Sequence, residues 1–133
     1  IAAALELGRR RQAGEAQQSH IKSSSDIAKY LQAQLRDKTH EVFVVAYLNR
    51  ANKVIHLETI SEGGITGTVA DPRIILKKAL EHNAVSLVLC HNHPSGNLKP
   101  SRADELLTQK IKQAALLLDL SVLDHVIVSE EGY

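Results

Sequence analysis

VSLVLCHNHPSGNLKPSRAD, residues 85–104, is the most informative segment of this sequence for predicting its fold. It opens with a nearly continuous apolar run from Val85 to Cys90, which is typical of a strand buried on both faces of a sheet. Pro94 favours an extended conformation in the residue before it and ends the strand, and Gly96 lets the backbone turn where a side chain would clash. The stretch therefore predicts a buried strand that ends in a tight loop.

The end of the same stretch predicts a helix. Ser101 can accept a hydrogen bond in the first turn as the N-cap residue, and we expect the helix to run to about Asp119. Apolar residues recur along it at helical spacing, which indicates that one face packs on the sheet. The residues expected on that face are Leu107, Ile111, Ala114, Ala115 and Leu118.

Strands and helices alternate along the rest of the chain. β-Branched and aromatic residues predict the strands, and capping residues predict the helix ends. The elements predicted in this way are a helix over residues 25–36, a hairpin of strands over 41–48 and 53–60, a helix over 71–83 and a last strand over 122–128. This alternation favours an α/β fold, a three-layer α/β/α sandwich with a mixed sheet.

The first residues differ from this core. Residues 1–18 join an alanine- and leucine-rich start to a polar second half, which is typical of a partly solvated helix. We expect them to be the end of a preceding domain and residues 19–133 to form one compact domain. Because the chain starts at Ile1 and contains no methionine, we also expect it to be part of a longer protein.

The amino-acid composition limits the classes of function that this chain can have. Of the 133 residues, 44% are hydrophobic, which is enough for a single domain with a hydrophobic core. Sixteen basic and fifteen acidic residues give a formal net charge of +1, which argues against a dedicated nucleic-acid binder because such proteins neutralise many phosphates. With three tyrosines and one phenylalanine, the chain also lacks the residues of a base-stacking platform.

The one cysteine, Cys90, excludes an intramolecular disulfide, a thiolate-built zinc finger and a deaminase site with its Pro-Cys-x-x-Cys segment. We expect Cys90 to be a small buried core residue. The sequence contains no signal peptide and no apolar run long enough to cross a bilayer, so we expect no membrane partner. A cytoplasmic, reducing setting is the resulting expectation.

His91, His93 and Asp104 predict a metal site. Residues i and i+2 of an extended segment point the same way, so the two imidazoles can reach one ion. Asp104 falls in the first turn of the next helix, which directs it back toward the strand end. Three protein ligands with a fourth position left for water are typical of catalytic zinc, whereas structural zinc is usually closed by four protein ligands. We therefore predict one zinc ion in a hydrolytic centre.

These residues also have structural interpretations. A His-x-His pair often occurs on surfaces by chance. Ser101-x-x-Asp104 is also a capping box, in which each residue bonds the backbone of the other. The two roles of Asp104 are compatible because a carboxylate has two oxygens. His125, in an apolar strand, is interpreted as a core histidine with satisfied hydrogen bonds.

The full pattern is more specific than any of its parts. The spacing matches the JAMM motif of MPN-type metalloproteases, written E…H-x-H-x(7)-S-x(2)-D. Seven residues separate His93 from Ser101, and two separate Ser101 from Asp104. The segment HNHPSGNLKPSRAD at residues 91–104 resembles the RadC-like branch of that superfamily, bacterial proteins long labelled as DNA repair proteins. AALELGRRR at residues 3–11 and LDHVIV at residues 123–128 resemble it too, so the resemblance covers essentially all of the chain.

The resemblance implies an MPN/JAMM-like fold with cytidine-deaminase-like architecture. It implies a zinc-dependent metallopeptidase or isopeptidase-like hydrolase that acts on a peptide or isopeptide substrate through a metal-activated water. The residues it implies are His91, His93 and Asp104 as zinc ligands, Glu41 as the general base and Ser101 as a helper to the oxyanion. On the residues alone, the choice of base is divided about evenly between Glu41 and three other glutamates taken together: Glu58, Glu62 and Glu81.

The alternative function is that of a DNA repair or DNA-associated protein whose zinc domain is a binding or scaffold module. In RadC-like proteins a helix-hairpin-helix region precedes the metalloprotease-like domain, and we expect any DNA contact there, with residues 1–18 as its end. RadC-like chains also usually continue past Gly132-Tyr133 with another strand segment. An open sheet edge at this point would favour pairing between copies, and hence a homodimer.

Overall fold

The computed structural model of the protein describes residues 24–35, 39–63, 70–94 and 96–129. The predictions for the helix in residues 1–18 and for an open sheet edge after residue 133 lie outside these ranges, so the division into residues 1–18 and 19–133 stays a prediction. Within these ranges, none of the helices has the length and apolar character needed to pass through a bilayer.

The helices and strands of the described part of the chain lie close to their predicted positions. In chain order they are α1 (Ser24–Leu35), β1 (Val42–Leu48), β2 (Val54–Glu62), α2 (Pro72–Glu81), β3 (Ser86–Asn92), α3 (Arg102–Leu116) and β4 (Ser121–Val128). β2 runs past its predicted end at residue 60, and β3 continues through His91, so that strand carries the first predicted ligand itself.

The sheet has the strand order β2-β1-β3-β4. β1 runs antiparallel to β2 and to β3, whereas β3 and β4 are parallel, so the sheet is mixed as predicted. The two inner strands, β1 and β3, are buried along their whole length. A strand covered on both faces needs apolar residues at consecutive positions, which explains the apolar run that begins β3.

Helices cover both faces of this sheet. On one face, α1 packs through Ile27 against a set of β1 residues that includes Val44. On the other face, α2 and α3 pack through Ile75 and Ile111 against the intervening β1 residues, among them Val45. Successive side chains of a strand point to opposite faces, so the two apolar clusters lie on either side of the sheet. The predicted three-layer α/β/α sandwich is confirmed.

α3 is shorter than predicted. It ends at Leu116, and Asp119 takes a positive φ of 57° in the turn that follows. Leu118 lies in that turn and is 43% exposed, so the prediction that it belongs to the core face was wrong. The other residues expected on that face are buried or packed against the core: Leu107, Ile111, Ala114 and Ala115.

Candidate metal centre

The three predicted ligands come together where β3 ends. His91 is the second-to-last residue of β3, His93 directly follows the strand, and Asp104 lies in the first turn of α3. The Nε2 atoms of the two histidines are 2.8 Å apart. Asp104 Oδ2 lies 3.4 Å from His91 Nε2 and 3.6 Å from His93 Nε2. In the described part of the chain, this is the one group of three such side chains whose ligand atoms lie close enough for a single metal ion.

The capping box expected at the start of α3 is present, and it directs the carboxylate of Asp104. Ser101 N–H donates to Asp104 Oδ2 at 2.8 Å, and Asp104 N–H donates to Ser101 Oγ at 3.1 Å. The oxygen that accepts from Ser101 is the same Oδ2 that faces the two histidines. Capping and metal binding therefore require the same orientation of the Asp104 side chain.

A backbone carbonyl determines which nitrogen of His93 faces the cluster. His93 Nδ1 lies 2.5 Å from the carbonyl oxygen of Asn97, and a carbonyl can only accept a hydrogen bond. The neutral ring therefore carries its proton on Nδ1 and a lone pair on Nε2. Histidines that bind metals commonly donate their other N–H to a carbonyl in this way.

A second histidine holds the ring of His91. His91 Nδ1 lies 2.8 Å from His125 Nε2, and His125 Nδ1 lies 2.5 Å from Thr108 Oγ1. Both ring nitrogens of His125 thus have partners, as expected of a core histidine. One of these partners is a predicted metal ligand, so His125 lies beside the cluster, a position that the sequence pattern does not indicate.

Phe43 packs against both of these rings from β1. Its ring stacks on His91 with centroids 6.0 Å apart and an interplanar angle of 7°, and it meets His125 edge-on at 5.5 Å. Phe43 pairs with His91 in the register of β1 and β3, so the sheet itself places these rings together. His91 is only 3% exposed as a result.

Burial, followed by the proximity of His125, lowers the pKa of His91 to about 4. Burial opposes the ionisation of Asp104, but hydrogen bonds from Ser101 and the nearby histidines outweigh it, so the pKa of the Asp104 carboxyl lies below its usual range. At neutral pH the site therefore holds a neutral imidazole at His91 and a carboxylate at Asp104.

This donor set fits a divalent metal ion. Two imidazole nitrogens and a carboxylate oxygen converge, and the Nδ1 atoms of both rings are engaged by other partners. Lone pairs this close repel one another unless a proton or a cation lies among them. Imidazole nitrogen and carboxylate oxygen are ligands that zinc prefers in proteins. The site can therefore hold a metal ion with three protein ligands.

Glu41 is the candidate base that the fold brings to this cluster. It directly precedes β1, its Oε1 lies 3.8 Å from His93 Nε2, and its side chain is 35% exposed. The other glutamates considered from the sequence form ion pairs elsewhere: Glu58 with Lys78, Glu62 with His40 and Glu81 with Lys77. Of the four candidates, Glu41 is the one with a contact to a predicted ligand.

A cleft of about 480 Å³ opens beside the cluster, between α3 and β4. Asp104 and His125 form part of its wall. Much of the remaining lining is apolar and includes Leu98, Val126 and Ile127. A substrate chain bound in this cleft would pass directly beside one of the predicted ligands.

Comparisons with known proteins agree with the resemblance seen in the sequence. The family model of the RadC-like JAB domain matches residues 21–133. A UPF0758 protein of Flavobacterium johnsoniae is 48% identical over 134 residues, which cover 100% of this chain and 58% of the relative. A UPF0758 protein of Acidovorax ebreus is 45% identical, and the match covers 97% of this chain and 55% of the relative. A UPF0758 protein of Streptococcus sanguinis is 42% identical, and the match covers 100% of this chain and 59% of the relative. This chain thus spans somewhat more than half the length of the curated relatives it matches. With a family match over most of its length, the chain belongs to the RadC-like JAB domain family.

Proposed function

We propose that this domain is a zinc-dependent hydrolase of amide bonds, similar to metallopeptidases and isopeptidases. The observation that carries the proposal is the position of Glu41, a partly exposed carboxylate 3.8 Å from the Nε2 atom of a predicted ligand, His93. Membership in the RadC-like JAB domain family supports the same chemistry, because the JAMM spacing is present in full.

His91, His93 and Asp104 would hold the zinc ion. Zinc bound by them supplies Lewis acidity, which lowers the pKa of a coordinated water to about 7 and polarises a carbonyl group. The surrounding residues keep two of these ligands in the protonation states that bind a metal ion. Burial keeps the His91 ring neutral, and the Ser101 N–H group favours the ionised form of Asp104, so both residues offer lone pairs at neutral pH.

Glu41 would act as the general base and then as the general acid. One carboxylate oxygen takes a proton from the attacking water as the water oxygen bonds to the carbonyl carbon of the substrate. The same carboxylate then gives this proton to the amide nitrogen as the C–N bond breaks, which releases an amine and a carboxylic acid. The carboxylic acid then loses the second proton of the attacking water to the solvent. The partial exposure of Glu41 suits this role, because the base must reach both the water and the substrate.

Ser101 would stabilise the oxyanion that forms on the substrate. Its Oγ accepts a hydrogen bond from Asp104 N–H through an oxygen lone pair, and this bond does not use the hydroxyl hydrogen. The hydroxyl can therefore still donate to a developing negative charge beside the cluster. Loss of one such donor typically lowers the rate by about 100-fold or more.

The experiment compares the wild-type protein with Glu41→Gln after loading with zinc. Zinc content is measured by elemental analysis, and hydrolysis is measured as new amines released from a panel of unfolded proteins and isopeptide-linked conjugates. We expect both proteins to bind one equivalent of zinc and only the wild type to release amines. The amide of the variant cannot take a proton but has nearly the same size as the carboxylate.

Glu81→Gln is the matched control, because it makes the same chemical change at a glutamate that pairs with Lys77 on α2. We expect it to retain both zinc and hydrolysis. Failure of the wild type to bind zinc would refute the proposal, and so would hydrolysis by Glu41→Gln at the wild-type rate.

A further inference from the structure

We infer that His125 is a positioning residue that holds His91 in the one tautomer able to bind a metal through Nε2. The inference rests on the proposed metal site. The observation behind it is a continuous series of hydrogen bonds from His91 through His125 and Thr108. The series ends at the backbone carbonyl of Asp104, a second predicted ligand.

The direction of each hydrogen bond follows from the last one. Thr108 Oγ1 lies 2.8 Å from the carbonyl oxygen of Asp104, which can only accept, so the single hydroxyl hydrogen is used there. The hydroxyl oxygen is then the acceptor for His125 Nδ1–H at 2.5 Å. A neutral His125 protonated on Nδ1 carries a lone pair on Nε2, which accepts from His91 Nδ1–H at 2.8 Å. The lone pair of His91 is thereby left on Nε2.

The opposite tautomer of His91 would place a proton between the ligands. An Nε2–H group on that ring would point at His93 Nε2, 2.8 Å away, and would remove one of the three ligand atoms. His125 therefore acts on metal binding through the position of a proton. Aromatic packing alone does not determine the tautomer of His91, because Phe43 contacts both rings whichever nitrogen is protonated.

The same series also joins the two elements that carry the ligands. His91 lies on β3, His125 on β4, and both Thr108 and Asp104 on α3. A shift of α3 relative to the sheet would stretch the bond between His125 and Thr108 and move Asp104 away from His91. The hydrogen bonds thus couple the tautomer of one ligand to the placement of another.

His93 has no equivalent dependence on a side chain, because its Nδ1 partner is the backbone carbonyl of Asn97. Mutation can therefore test the support of His91 separately. Removing the partner of a ligand histidine typically weakens metal binding by about 10- to 100-fold. We expect a loss in that range for His125→Phe, which keeps an aromatic ring beside Phe43 but has no acceptor.

The conservative variant is His125→Gln. The side-chain oxygen of glutamine reaches about as far as the Nε2 atom of histidine, so it can accept from His91 Nδ1–H. We expect His125→Gln to recover most of the zinc affinity lost in His125→Phe. Thr108→Val, which removes the hydroxyl and keeps a β-branched shape, should weaken zinc binding by a smaller factor because His125 then has two tautomers available.

The experiment measures the zinc Kd of each protein by competition with a chromophoric chelator, with circular dichroism of the metal-free proteins as a check of folding. His56→Phe is the matched control, since His56 is also partly buried and stacks on other rings, those of Tyr47 and His82. We expect its zinc Kd to equal that of the wild type.

Two outcomes overturn the inference while leaving the proposed function in place. One is a folded His125→Phe protein with the zinc Kd of the wild type. The other is a His125→Gln protein that binds zinc as weakly as His125→Phe, which would show that packing of the imidazole matters and its acceptor does not. A wild-type protein that binds no zinc would instead refute the proposed function itself.

Discussion

Asn92 holds the backbone on both sides of Glu41. Its Oδ1 accepts a hydrogen bond from Val42 N–H at 2.6 Å, and its Nδ2 donates to the carbonyl oxygen of His40 at 3.0 Å. Asn92 is buried and stands between the two predicted histidine ligands in the sequence. The strand that carries His91 thus also fixes the residue proposed as the base.

Replacement of Asn92 should therefore separate hydrolysis from metal binding. In Asn92→Ala the Val42 N–H group loses its buried acceptor, which costs about 1–3 kcal/mol of stability. With its neighbours released, Glu41 no longer holds one position, and we expect kcat to fall by about 10-fold or more while the zinc Kd stays within a factor of two. Steady-state kinetics and chelator competition measure the two quantities.

Asn49→Ala is the matched control for this effect. The Asn49 side chain likewise accepts from backbone N–H groups, those of Ala51 and Lys53, but in the turn between β1 and β2. We expect it to lower stability without changing kcat. An equal loss of kcat in both variants would mean that Asn92 acts on activity only through general stability.

The double use of Asp104 Oδ2 gives a second prediction. Asp104→Ala should lose stoichiometric zinc and also about 1 kcal/mol of stability, because it removes a ligand and half of the capping box. Asp104→Asn keeps an oxygen that can accept from Ser101 N–H, so we expect it to lose zinc while keeping most of that stability. Elemental analysis and thermal unfolding of the metal-free proteins measure these effects. Stoichiometric zinc in Asp104→Ala would contradict the ligand assignment.

The two roles of Ser101 can be separated in the same manner. Ser101→Ala should lose about 1 kcal/mol of stability as well as the proposed oxyanion donor. Glycine is a tolerated N-cap residue, and its cost there is only a few tenths of a kcal/mol. We therefore expect Ser101→Gly to retain stability and zinc and yet hydrolyse about 100-fold more slowly than the wild type. A Ser101→Gly protein with full activity would limit Ser101 to capping.

The parts of the fold that follow local rules could be predicted from the sequence. The apolar run of β3 and the Asp71-Pro72 start of α2 are such cases, since Asp71 caps the helix by accepting from Arg73 N–H at 2.9 Å. The end of α3 could not, because the apolar pattern continues past Leu116 while the backbone turns at residues 117–119. Helical spacing cannot show where a chain leaves the helix.

The same distinction applies to the candidate site. His91, His93 and Asp104 are close in sequence, so a strand, a loop and a helix start bring them together. The contact of Glu41 depends on the antiparallel pairing of β1 with β3, and that of His125 on the parallel pairing of β3 with β4. The spacing of residues along the sequence does not show which strands pair with each other. Glu41 therefore required the family resemblance, and the partnership of His125 with His91 required the structure.

Cys90 directly precedes His91 but points to the opposite face of the sheet. Cys90 is fully buried among the residues packed against α1, and this burial raises the pKa of its thiol. The reactive form toward iodoacetamide is the thiolate, so both access and ionisation oppose alkylation of the folded protein at pH 8. We expect alkylation only through unfolding, at least about 1000-fold more slowly than for an exposed thiol.

Lys112→Cys supplies that exposed thiol on α3 within the same molecule. Mass spectrometry of the variant should show one rapid modification without denaturant and two in guanidinium chloride. Because Cys90 faces away from the metal ligands, zinc should slow its alkylation only to the extent that zinc binding stabilises the folded state. Rapid alkylation of Cys90 in the folded, metal-free protein, suppressed by zinc, would instead place the thiol among the ligands and contradict the face assigned to it.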